Sequence, residues 1–232
     1  MKRLSLVLLL SSSMFLSSCD TLKTMASTFL TEADAVGAIK EMLTIGSNGN
    51  ALISKDALMN AILPKDVNTV LQKLQQLGLS KDIDKFTNTL TNAATQTATN
   101  SIPVFADGIK RMNITDAINI VKNGGTAATD YFRNTIGGEL RTTVTPIMKT
   151  ALDQYNVTKE WDKLVAPVKL VLGDKVKLNL NLDNLLAGVV TNAMFNKIAE
   201  QEVIIRTKAE ARTTPLLQKV FGRDWNNNGI AK

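Results

Sequence analysis

Thr126-Ala127-Ala128-Thr129-Asp130-Tyr131-Phe132-Arg133-Asn134-Thr135-Ile136-Gly137-Gly138-Glu139-Leu140, continued by Arg141 to Tyr155, is the stretch that decides the fold class. Ala128, Phe132, Ile136, Leu140, Val144 and Met148 recur every four residues, and Leu152 and Tyr155 prolong the series. A spacing of four against a helical turn of about 3.6 residues keeps these side chains on one stripe, so the stretch predicts a long helix with one buried face. Asn123-Gly124-Gly125 closes a shorter helix just before it, and Thr126 opens the long one. Gly137-Gly138 and Pro146 predict a close helix contact or a bend.

The same logic extends in both directions. Thr31-Glu32-Ala33-Asp34 has the form of a capping box, and Ala35, Ile39, Met42 and Leu43 give the following helix its apolar face until Gly46 and Gly49 loosen it. Ile62-Leu63-Pro64 marks a break; Pro64 starts a helix through Leu77, striped by Val67, Val70, Leu71, Leu74 and Leu77 and ended by Gly78. Ser80 caps the next helix, with Ile83, Phe86, Leu90, Ala94 and Ala98 on its stripe, and Pro103 kinks or ends it. Thr115 or Asn113 caps a short helix reaching Asn123, and Thr158 to Val165 forms another. Asp183 caps a helix to about Lys208, and Thr213 or Thr214 before Pro215 starts a final turn ending at Phe221-Gly222. One segment departs from the pattern. Val176, Leu178, Leu180 and Leu182 alternate with polar residues at period two, which suggests an extended piece or a hairpin with Val168 to Leu172, near residues 168–182. The expected fold is all-α, a compact multi-helix domain over residues 31–222, followed by a polar, frayed tail over 223–232.

Composition narrows the chemistry. The 232 residues contain no His and one Cys, so Ser-His-Asp and Cys-His catalysis, His-ligated zinc and internal disulfides are excluded. Paired carboxylates are the remaining acid/base machinery. Asp130 and Glu139 lie nine apart, on opposite sides of a helix, and Asp107 and Asp116 are scattered. No catalytic residue or cofactor is assigned, and a non-catalytic module is favoured over the alternative of a carboxylate-dependent envelope hydrolase. Asp224-Trp225-Asn226-Asn227-Asn228-Gly229 copies the start of a calcium loop, but the sequence reaches Lys232 without its twelfth-position Glu, so no metal site is assigned.

Residues 1–18 read as an export signal: Lys2 and Arg3 precede the apolar run Leu4 to Leu10, and a Ser-rich stretch follows. The apolar run is too short for the roughly 20 residues of a membrane span. Leu16-Ser17-Ser18-Cys19 resembles a bacterial lipobox, which implies cleavage before a diacylglyceryl-modified Cys19 and a tether over residues 19–30. The expected partner is then the membrane, through the N-terminal acyl chains. Asp20 favours inner-membrane retention in some lineages, and residues 21–25 lack the acidic cluster that others use for surface export, so a periplasmic location is expected. Without residues 1–18 the chain carries 25 basic against 21 acidic residues, a small, dispersed excess that is no nucleic-acid footprint.

Two separated motifs, Asn123-Gly124-Gly125-Thr126-Ala127-Ala128-Thr129-Asp130-Tyr131-Phe132-Arg133 and Ala211-Arg212-Thr213-Thr214-Pro215-Leu216-Leu217-Gln218-Lys219-Val220-Phe221-Gly222, resemble the bacterial envelope family called domain of unknown function 4197. Glu32-Ala33 through Leu43 and Leu77-Gly78 fit the same pattern, and the resemblance covers about residues 31–222. It implies an all-helical exported protein and no established activity. The residues themselves suggest that the two motifs meet. Thr126, Thr129, Asp130 and Arg133 lie in the first two turns of one helix, while Arg212, Thr213 and Thr214 precede the start of another. Helix N-termini and two guanidinium groups form a patch suited to an anionic ligand or the carboxylate of an envelope protein. The structural alternative has Asp130 bridging Arg133 and Arg212 and locking the C-terminal segment in place.

Overall fold

The computed structural model describes residues 29–49, 51, 54–62, 67–173, 181–226 and 230–231. Across these residues the chain forms α1 (Glu32–Ser47), α2 (Lys55–Ile62), α3 (Val67–Gln76), α4 (Ser80–Arg111), α5 (Ala117–Asn123), α6 (Ala127–Gln154), α7 (Val157–Leu172), α8 (Leu182–Thr207) and α9 (Pro215–Phe221). A 3-10 turn, Ala209–Ala211, joins α8 to α9, and β1 (Arg223–Asp224) pairs antiparallel with β2 (Ile230–Ala231). The fold is all-α. Residues 1–28, which carry the expected export signal, Cys19 and nearly all of the expected tether, lie outside the described residues.

The stripe of α6 does what its spacing dictates: Ala128, Phe132, Leu140, Val144, Met148 and Leu152 are buried. α6 packs against both α4 and α8, which also touch each other, and α1 packs against α8 and α4. One aromatic ring from each of the three central helices meets there. Phe105 of α4, Phe132 of α6 and Phe195 of α8 make mutual edge contacts with centroids 5.3 to 6.1 Å apart. Such pairs contribute about 0.5–1.5 kcal/mol beyond the area they bury. A second aromatic pair, Phe86 and Trp161 at 5.3 Å, fastens α7 to α4. The backbones come close where α1 crosses α8: a Cβ on Gly46 would come within 2.9 Å of the Ile198 Cα, so only glycine fits.

The N-terminal cap of α1 is the one its sequence encodes. Thr31 Oγ1 accepts from the Asp34 amide at 3.1 Å, and the Asp34 carboxylate accepts from the Thr31 amide at 3.4 Å. Some other boundaries differ from the sequence pattern. α4 runs unbroken through Pro103, whereas α6 follows its stripe through Gly137-Gly138 and Pro146. Each proline removes one backbone bond, and burial along helices of 32 and 28 residues outweighs that loss. α2 is too short for its apolar face to mark it in the sequence; Ser54 Oγ starts it by accepting from the Ala57 amide at 3.2 Å. Val168 to Leu172 is the last part of α7 and not a hairpin strand. Trp161, Leu164, Val165 and Val168 are buried at i, i+3, i+4 and i+7, a helical stripe that prevails over the alternation farther along. Residues 174–180, which carry most of that alternation, lie outside the described residues. The tail is folded back rather than frayed as far as Trp225, whose Nε1 donates to the Val220 carbonyl at 2.6 Å. Residues 227–229 of the calcium-like stretch lie outside the described set. No helix among the described residues is long and apolar enough to cross a membrane.

Candidate functional site

α8 carries its apolar stripe at four-residue intervals through Leu186, Val190, Met194 and Ile198. The next two positions of the same series are Glu202 and Arg206, and both are buried, at 0% and 9% exposure. A charge on a buried stripe is costly unless every polar atom finds a partner. Here the partners are two other helix ends. The Glu202 carboxylate accepts from the amides of Ala128 at 3.0 Å and Thr129 at 2.7 Å, and from the Thr129 hydroxyl at 2.6 Å. These amides belong to the first turn of α6, where the backbone has no acceptor of its own and the helix dipole is positive.

Arg206 does the converse at the neighbouring helix end. Its Nη1 donates to the Val121 carbonyl at 2.8 Å and its Nη2 to the Ile120 carbonyl at 3.1 Å, both in α5. Its Nε donates to Glu202 Oε1 at 2.9 Å, closing the pair. One buried ion pair thus satisfies the negative end of α5 and the positive end of α6, the two helices joined by the Gly124-Gly125 turn. Both glycines have positive φ, 69° and 55°, which the reversal between the helices requires.

The C-terminal motif closes over this arrangement. Arg212 is buried, and its Nε and Nη2 donate to the carbonyls of Ile205 at 2.9 Å and Arg206 at 2.8 Å, capping α8. Gln218 Nε2 donates to the Arg212 carbonyl at 3.0 Å, and Thr214 Oγ1 accepts from the Leu217 amide at 3.2 Å to start α9. The Phe221 ring of α9 lies 5.0 Å from the Arg206 guanidinium carbon. α1 contributes two further links: Glu32 accepts from the Ala117 amide at the start of α5 at 2.6 Å, and Lys219 of α9 pairs with Asp34 at 2.7 Å. The Lys219 ammonium, together with the Thr31 hydroxyl, holds the Asp34 carboxyl below the usual carboxylate range.

The residues singled out in the sequence divide between this cluster and its surroundings. Thr129, Arg212 and Thr214 belong to it. Thr126 donates instead to Asp130 at 2.9 Å on the surface, and Thr213 is exposed. Arg133 donates to Asn196 at 3.2 Å and lies over the Phe195 ring at 4.9 Å. Among the described residues no ion pair joins Asp130, Arg133 and Arg212; the carboxylate that spans the motifs is Glu202. Glu202, Arg206 and Gln218 join the cluster without being among the site residues the sequence singles out. The signal for the first two was present in the four-residue series of α8, where charged residues continue an apolar stripe. Among the described residues no group of three His, Cys, Asp or Glu side chains could hold a metal ion.

No curated protein and no solved structure matches the chain. A family profile covers residues 29–222, nearly all of the helical domain and both motifs that the buried pair brings together. The chain belongs to the family described as protein of unknown function (DUF4197).

Proposed function

We propose that the chain is a lipid-anchored protein at the periplasmic face of the cell envelope, whose helical domain is a non-catalytic binding or structural module. The observation that carries the anchor is the chain's single cysteine, Cys19, standing directly after Leu16-Ser17-Ser18 and an export-type leader. Two or three acyl chains, at about 0.8 kcal/mol per buried methylene, hold such a protein on a bilayer. The module reading draws on Glu202. Its carboxylate receives four donors and, together with Arg206, braces three helices, which is the work of a structural acceptor.

Membrane fractionation with acyl labelling tests the anchor: the wild-type chain is expected in the membrane fraction and labelled, and Cys19→Ser unlabelled and either released or uncleaved. Identical labelling and fractionation of the two would refute it. The module reading is tested by pull-down from native membranes, read out for protein and lipid. Turnover of an envelope substrate that disappears when one Asp or Glu is neutralised would overturn it.

A further inference from the structure

Behind the Gly124-Gly125 turn, between α5, the end of α8, α9 and the folded-back tail, lies a cleft of about 160 Å³. That is far more than the roughly 10–15 Å³ needed to admit one water. Its lining includes Lys122, Arg206 and Arg223, with Asp224 as the one carboxylate and with Trp225 and Phe221 as aromatic walls. The three cations differ in how they are held. Arg206 is anchored from behind by Glu202 and two carbonyls, and these contacts leave one Nη1 hydrogen without an acceptor among the described residues. Arg223 lies 5.7 Å over the Trp225 ring, and neither it nor Lys122 has a carboxylate partner among the described residues. The glycine turn borders open space, since a Cβ on either glycine would meet no atom within 4 Å, so a ligand can come close to its backbone.

We infer that this cleft is a binding site for a small phosphate-type oxyanion, held by Lys122, Arg206 and Arg223 with its substituent against Trp225. The inference deepens the reading of the domain as a binding module and does not depend on the anchor. The first turn of α6 is not the ligand's seat, because Glu202 already fills it; the cations lining the cleft supply the charge. Arg223 gives two parallel donors to an oxyanion, Lys122 a mobile point charge, and the buried Arg206 a fixed one. A free phosphate ester and an anionic lipid headgroup share this chemistry.

The test uses the full chain in detergent with Trp161→Phe, which leaves Trp225 as the single tryptophan. Trp161 is only 2% exposed and faces Phe86, away from the cleft. Trp225 emission is titrated with inorganic phosphate and, separately, with short-chain phosphatidylglycerol against phosphatidylcholine. Equilibrium dialysis of radiolabelled phosphate against the unmodified chain provides a readout that does not require the Trp161 variant to fold. A saturable response to phosphate identifies a free anion as ligand, and a response to phosphatidylglycerol alone identifies a headgroup. In either case Arg223→Ala and Lys122→Ala each weaken binding by about tenfold with an unchanged melting temperature. No saturable response to either probe, or equal affinity in the two variants, would overturn the site. The anchor experiment on Cys19 is unaffected by either result.

Discussion

Two clusters that pair arginine with carboxylates sit in different parts of the molecule and teach opposite lessons. Arg111 donates to Asp107 at 2.7 Å and to Glu139 at 2.9 Å, and all three side chains are at least half exposed. Glu202 and Arg206 meet at similar distances, but with side-chain exposures of 0% and 8%. Contact lengths alone would rank the two clusters as equals. Water screens the first and leaves it little to contribute, whereas the second has given up its hydration and depends on every hydrogen bond it makes. The surface triad decorates α4 and α6; the buried pair decides how α5, α6 and α8 meet.

Breaking the buried cluster should give the largest effect. Glu202→Ala leaves the Arg206 charge and two α6 amides without their acceptor, and is expected to cost about 3–5 kcal/mol in urea unfolding. Thr129→Val keeps the shape and removes one hydroxyl donor from the same carboxylate, so a smaller loss of about 1.5–3 kcal/mol is expected. The partly exposed Lys219–Asp34 bridge sharpens the comparison as an intermediate case. Its carboxyl titrates below its unfolded value, so its stabilisation is present above the ordinary carboxylate pKa of about 3.9 and is lost as pH falls through the lower folded value. Lys219→Ala should therefore lower the melting temperature near neutrality by a few degrees at most, and the difference from wild type should vanish in strong acid. Arg111→Ala should leave the urea midpoint unchanged within error, and a clear loss there would erase the distinction between the clusters.

How much of this was legible in the sequence depends on range. The stripe from Ala128 to Met148 and the Thr31–Asp34 cap are local, so spacing along the chain revealed both. α2 is only eight residues long, so its apolar face, Ala57, Leu58, Ala61 and Ile62, repeats once and does not stand out along the sequence. The alternation from Val176 to Leu182 suggests an extended piece or a hairpin with Val168 to Leu172, although Trp161, Leu164, Val165 and Val168 carry the helical period. Pro103 suggests a kink or an end because propensity ignores the burial that carries α4 through it, whereas the stripe of α6 runs on across Pro146 in sequence and structure alike. The candidate site was half visible. The two motifs could be seen to belong together from their helix starts and their arginines, but the carboxylate joining them lies 73 residues beyond Thr129. Asp130 was the nearest acid in sequence and so took the role that Glu202 fills in space.

The central claim is that Glu202 and Arg206 act as one unit joining α5, α6 and α8. A double-mutant cycle with Glu202→Gln, Arg206→Met and the pair, followed by urea unfolding, measures that directly. Each single substitution strands the other partner and its helix end, so the account predicts a coupling energy of at least about 2 kcal/mol, with the double variant more stable than the sum of the single losses implies. Losses that add to within about 0.5 kcal/mol would contradict it, and would mean that the two side chains cap their helices independently.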